Sequence, residues 1–121
     1  LNLESAIFNN AYLRWANFTG AYLTFAEFNR ASLSHTTFSG ANLTKAEFKG
    51  AFIKYAYFNN CYVIIGDYPM ESYLPTAPEG YEFIFETNED GIIRTKIVHE
   101  GTPHETEGCY IKLIKTETKN P

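Results

Sequence analysis

Residues 16–35 read ANFTG AYLTF AEFNR ASLSH. Ala returns at every fifth place, at Ala16, Ala21, Ala26 and Ala31, and two places after each one Phe18, Leu23, Phe28 and Leu33 alternate. A helix repeats near 3.6 residues and a strand at 2.0, so a period of five belongs to neither. The register extends in both directions. Ala6, Ala11, Ala41, Ala46, Ala51 and Ala56 fall in the same column, which only Thr36 and Cys61 interrupt, and both are small. The apolar column runs without a gap through Leu3, Phe8, Leu13, Phe18, Leu23, Phe28, Leu33, Phe38, Leu43, Phe48, Ile53, Phe58 and Val63. The position after it favours Ser, Thr and Asn, and the fifth is often Gly or Asn.

A repeat sustained over that length resembles the pentapeptide-repeat family, whose motif is a small residue, a polar residue, Leu or Phe, and two variable residues. The resemblance covers residues 1–65 and implies an all-β fold, a right-handed quadrilateral β-helix with four pentapeptides in each coil. Thirteen repeats would then make about three coils, a stub of roughly 15 Å at the spacing of neighbouring strands. Residues twenty apart would stack, so Phe8, Phe28 and Phe48 form one column and Phe18, Phe38 and Phe58 the column facing it. Leu3, Leu23, Leu43 and Val63 form a third, opposite Leu13, Leu33 and Ile53. Two large columns against two smaller ones fill a square interior, as close packing demands. Such a filled interior leaves no internal pocket.

The register fails at CYVII GDYPM, residues 61–70, where Ile64 and Ile65 take places held by polar residues elsewhere. Gly66, Pro69, Pro75, Pro78 and Gly80 mark residues 66–80 as a linker or cap. Residues 81–86 have the composition of a strand, Asn88 to Gly91 that of a turn, and Ile92 to His99 that of a returning strand. After a loop, residues 110–115 form a third strand. Residues 81–117 are therefore expected to be a small acidic antiparallel β appendage, with 118–121 a frayed end. The surface stack of Tyr22, Phe25, Tyr62 and Ile65 is where the linker is expected to fold back.

The formal charge of −4 conceals two halves. Residues 1–66 carry five Lys and Arg against three Glu, a net +2, and residues 67–121 carry five against eleven acids, a net −6. No apolar run approaches the length of a membrane span and no secretory segment opens the chain, which begins with Leu rather than Met. Cys61 and Cys109 are too few for a disulfide scaffold, and Cys61 holds a small inward position that suits a core thiol. The expected setting is cytoplasmic, with no membrane contact.

On the outside of the register, Trp15, His35 and Tyr55 share one column, Tyr12 and Phe52 another, and Arg14 and Lys54 a third on the same side. Aromatic and cationic residues gathered on one side have the composition of a binding surface. The partner expected is a protein, a second copy of this chain included, unless the tail simply covers the face. Interleaved aromatics and cations also suit single-stranded nucleic acid, but the need of a short repeat stack for cover argues against direct nucleic-acid binding. His99, His104 and Cys109 match no zinc spacing and read as ordinary side chains, so no metal or cofactor is expected. No phosphate loop, nucleophile elbow or supported carboxylate pair is present, so the chain is not expected to be an enzyme.

The resemblance also brings the activity best known for the family, protection of bacterial DNA gyrase by long acidic rods that mimic the duplex. About 15 Å of duplex would carry roughly nine negative charges, whereas the repeat segment is net positive. An alternative therefore places mimicry in the tail, of gyrase-protection or phage counter-defence type. Glu82, Glu86, Glu89, Asp90, Glu100, Glu105 and Glu107 would then form its acidic surface, with Glu79 nearby.

Overall fold

The structure, a computed structural model, describes residues 1–58, 61–65, 68–79, 81–87, 93–99 and 110–115. Each pentapeptide ends in a tight turn. The small residue's amide donates to the carbonyl of the large apolar residue three places earlier, as Ala26 does to Leu23 at 2.9 Å and Ala31 to Phe28 at 3.1 Å. The residue just before the small one has a positive φ at every corner from Ser5 to Tyr55. A positive φ at the third residue alone is the geometry of a type II turn. Repeating that turn every five residues bends the chain around four corners and brings it back over itself. The second residue of each repeat then pairs in parallel with its equivalent twenty later: Asn2 with Tyr22, Tyr22 with Asn42, Asn42 with Tyr62. Hydrogen bonds run both ways between coils, from the Leu3 amide to the Tyr22 carbonyl and from the Tyr22 amide to the Leu1 carbonyl, both 2.9 Å.

The interior follows the columns expected from the register. Phe rings lie parallel within a column, 5.2 Å apart for Phe28 and Phe48 and 4.9 Å for Phe38 and Phe58. Across the centre they meet edge to face, as Phe28 and Phe38 do at 5.3 Å and 90°. Edge-to-face contact sets the positive ring edge against the negative ring face, worth about 0.5–1.5 kcal/mol beyond burial. Leu23, Leu33, Leu43, Ile53 and Val63 complete a fully buried core, while Leu3, Phe8 and Leu13 of the first coil are only partly covered.

The two interruptions of the Ala column share one solution. The Thr36 hydroxyl donates to the Leu13 carbonyl at 2.6 Å, and the Cys61 thiol to the Phe38 carbonyl at 2.7 Å. Each reaches the carbonyl twenty-three residues back, so a buried polar hydrogen finds an acceptor and the column tolerates it. Gly50 answers a different demand. Its φ is +68°, and a Cβ there would lie 3.1 Å from Cγ of Arg30, whose Nε donates to Asn10 Oδ1 at 3.1 Å.

Past Val63 the chain leaves the coil path and then rejoins it. The Lys45 amide donates to the Tyr73 carbonyl at 3.0 Å, where an unbroken register would supply residue 64. Thr76 pairs with Glu47 where the register would supply residue 67, its amide donating to the Ala46 carbonyl at 3.0 Å and its carbonyl accepting from Phe48 at 3.1 Å. Both substitutes arrive nine residues late. The segment expected to be a linker or cap is thus a detour spliced into the winding, carrying a 3₁₀ turn at Met70–Ser72 and two buried prolines, Pro75 and Pro78.

The tail departs from the expected antiparallel appendage in one respect. The strands are β1 (Cys61–Ile65), β2 (Tyr81–Thr87), β3 (Ile93–His99) and β4 (Tyr110–Lys115). Their sheet order is β1-β4-β3-β2, antiparallel between β2 and β3 and between β3 and β4, but parallel between β4 and β1. The reason is the coil itself. β1 is the last rung over Asn42, and β4 adds to it in the direction the next coil would have taken, Tyr62 opposite Lys112. The sheet is therefore mixed and grows from the end of the winding.

Candidate interaction surface

The winding has four sides, and two opposite ones hold the features of interest. Trp15, His35 and Tyr55 occupy successive corners of one side. Their rings form a continuous ladder: Trp15 and His35 lie 4.1 Å apart at 5°, and His35 and Tyr55 5.1 Å apart at 11°. The twenty-residue period alone creates it, because equivalent corners stack with the coils. Lys54 Nζ lies 5.2 Å from the centre of the Tyr55 ring and extends the ladder with a cation–π contact.

Beside the ladder runs the bridged column Tyr12, Ser32, Phe52. Tyr12 is 91% exposed and Phe52 57%, and the small Ser32 between them leaves a gap the width of one coil. Arg14 and Lys54 are exposed on the same side, with Ser34 buried between them. All seven residues expected on this face therefore lie together, with Trp15 still 69% exposed and no cover from any described residue. The alternative that the tail covers this face rests on residues 82–121, whose side chains lie outside the described residues.

The corners matter energetically. Trp15, His35 and Tyr55 have φ of 64°, 60° and 67°, a region that costs an L-residue roughly 1–2 kcal/mol and that Gly or Asn enters more readily. Gly20, Gly40 and Gly50 use the same corner elsewhere. Bulky aromatics here are neither in the core nor in a favoured backbone state.

The side opposite the ladder carries Phe25 and Lys45 at its corners, and the detour returns there; of the Tyr22, Phe25, Tyr62 and Ile65 stack on which it is expected to fold back, Phe25 lines the recess that results. Between them is an apolar-walled cleft of about 490 Å³, lined by Phe25, Ile64, Tyr68 and Tyr73 with Asn42, Thr44 and Lys45. Sequence reasoning missed it, because it exists only where the chain leaves the register. On a third side Asn9, Asn29 and Lys49 form a polar ladder, the Asn29 amide donating to Asn9 Oδ1 at 2.8 Å and Lys49's to Asn29 Oδ1 at 3.0 Å. Glu27 and Glu47 accept from the Asn9 and Asn29 side chains at 2.8 and 3.2 Å, so these carboxylates serve the stack.

Of the acidic set, Glu82 and Glu86 lie in β2, in register with Val98 and Arg94. Glu89, Asp90, Glu100, Glu105 and Glu107 lie outside the described residues, as do His104 and Cys109 of the trio weighed for metal, and His99 ends β3. No helix among the described residues is long and apolar enough to cross a membrane.

A family model described as pentapeptide repeats matches the chain in eight copies, over residues 2–34 and 26–62. No curated protein matches it.

Proposed function

The chain belongs to the pentapeptide-repeat family, and we propose that it is a non-catalytic binding module. In this reading a right-handed β-helix of about three coils presents the side bearing Trp15, His35 and Tyr55 to a protein partner or to a second copy of itself. The observation that carries it is the exposed ring ladder built on left-handed corners. Stacked rings hold one another rigid, so a partner that covers them loses little side-chain freedom in the process, which is why aromatics dominate binding energy at interfaces. The Ser32 gap between Tyr12 and Phe52 offers a place for one inserted side chain, and Arg14 and Lys54 give a cationic rim suited to an acidic partner surface.

The test joins a spectroscopic and a binding measurement. Trp15 is the chain's one tryptophan, so native emission reports on the ladder: red and readily quenched in dilute protein, blue and protected once the face is occupied. Trp15→Ser with Tyr55→Ser is expected to leave the far-ultraviolet circular dichroism unchanged and to abolish self-association and partner capture together. A double variant that keeps both would remove this face from the account.

A further inference from the structure

We propose that the cleft opposite the ladder is a binding site for a small aromatic carboxylate. Its volume of about 490 Å³ is within the range of small-molecule sites, roughly 300–1,000 Å³. The walls are Phe25, Ile64, Tyr68 and Tyr73, which suit a flat apolar body. The polar end is set by Asn42, which lines the cleft while being only 5% exposed.

The orientation of the Asn42 amide follows from its neighbours. The Thr44 backbone N–H donates to Asn42 Oδ1 at 3.0 Å, and the Thr44 hydroxyl donates to the same atom at 2.6 Å. A backbone N–H can only donate, so the atom facing it is the oxygen and the Nδ2 group points elsewhere. The one Thr44 hydroxyl proton is thereby used, and its oxygen also accepts from the Ile64 amide at 2.9 Å. Among the described residues, none accepts a hydrogen bond from Asn42 Nδ2. A buried donor left without an acceptor is unfavourable, and an incoming carboxylate oxygen would satisfy it.

Lys45 adds the charge. It lines the same cleft and makes no ion pair among the described residues. An amide donor and an ammonium at one end of an apolar slot select a ligand with an anionic acceptor on a planar apolar body. The lip is held in place by the turn Tyr68–Tyr73, in which the Tyr68 amide donates to the Tyr73 hydroxyl at 3.0 Å.

The experiment titrates the full chain with 2-naphthoate, with uncharged 2-naphthamide and with 2-methylnaphthalene, following binding by calorimetry and the Asn42 side-chain amide by nuclear magnetic resonance. Naphthoate is expected to bind and to shift the Asn42 NH₂ signals, with methylnaphthalene about tenfold or more weaker, the loss of one charge-assisted hydrogen bond. Asn42→Asp keeps the acceptor for Thr44 but replaces the donor with a charge that repels the ligand, and is expected to abolish binding. Lys45→Gln, at a partly exposed corner, is expected to fold normally and to weaken naphthoate about tenfold while leaving naphthamide unchanged. Absence of naphthoate binding would overturn the proposal. So would equal binding of all three probes, which would make the cleft a plain apolar groove, or an Asn42 signal unmoved at saturation.

Discussion

The ladder side and the cleft side are built on one interior, with the same turn, the same period and the same left-handed corners. Leu13, Leu33 and Ile53 back the first, and Leu3, Leu23, Leu43 and Val63 back the second. What differs is what happens after the last coil. Over the ladder nothing among the described residues returns, so its corner rings stack only on one another. Over the cleft the detour comes back at Tyr73, so the corners Phe25 and Lys45 become the walls of a recess rather than an open stripe. A repeat winding supplies equivalent sides, and the break in the register makes them unequal.

The largest effects test the shared interior. Leu33→Ala behind the ladder and Leu43→Ala behind the cleft both empty a fully buried site. Each is expected to cost about 2–5 kcal/mol in urea unfolding, and the two values to agree within about 1 kcal/mol. A markedly cheaper loss on one side would show that the two sides do not share a single core.

A smaller change separates the sides. Thr76→Pro removes the amide that donates to the Ala46 carbonyl, and should cost about 1–3 kcal/mol by leaving that carbonyl short of a partner. Hydrogen exchange should then quicken at Lys45 and Phe48, whose amides depend on Tyr73 and Thr76. Exchange at Leu13 and Trp15, bonded to the Ser32 and Ser34 carbonyls, should stay as it was. Equal quickening on both sides would mean that the detour holds the whole winding and not one side of it.

The smallest effect is alkaline. Partial burial first, and the neighbouring Tyr22 second, hold the Tyr62 phenol above its ordinary 10.0. The folded chain therefore keeps this proton longer than the unfolded one, and stability falls as pH rises past 10.0, being fully present below it. Urea midpoints measured upward from that pH should decline, and Tyr62→Phe should flatten part of the decline. An unchanged slope in the variant would assign the loss to other groups.

Much of this was legible in the residues because a column needs only local information. A turn every five residues and one large apolar side chain per turn place Phe28 against Phe48 without any long-range knowledge, and the same arithmetic aligned Trp15, His35 and Tyr55. Thr36 and Cys61 were legible as small, but not as donors, since their acceptors lie in another coil. The detour was hidden for a related reason. That Tyr73 and Thr76 take the places of residues 64 and 67 is decided by the orphan amides of Lys45 and Phe48, which no reading along the chain connects to them. The same holds for β4, whose composition announces a strand but whose parallel partner is dictated by the free edge of the last rung.

The sequence by itself determined the winding, its four columns and the aromatic stripe, because a strict period repeats one local conformation and stacking follows from it. Only the tertiary structure decided which corner is open among the described residues, which is walled into a cleft, and that the buried Asn42 lines that cleft. Those outcomes depend on where an irregular segment returns, and its return is chosen by hydrogen-bonding groups that the regular part leaves unpaired at its end.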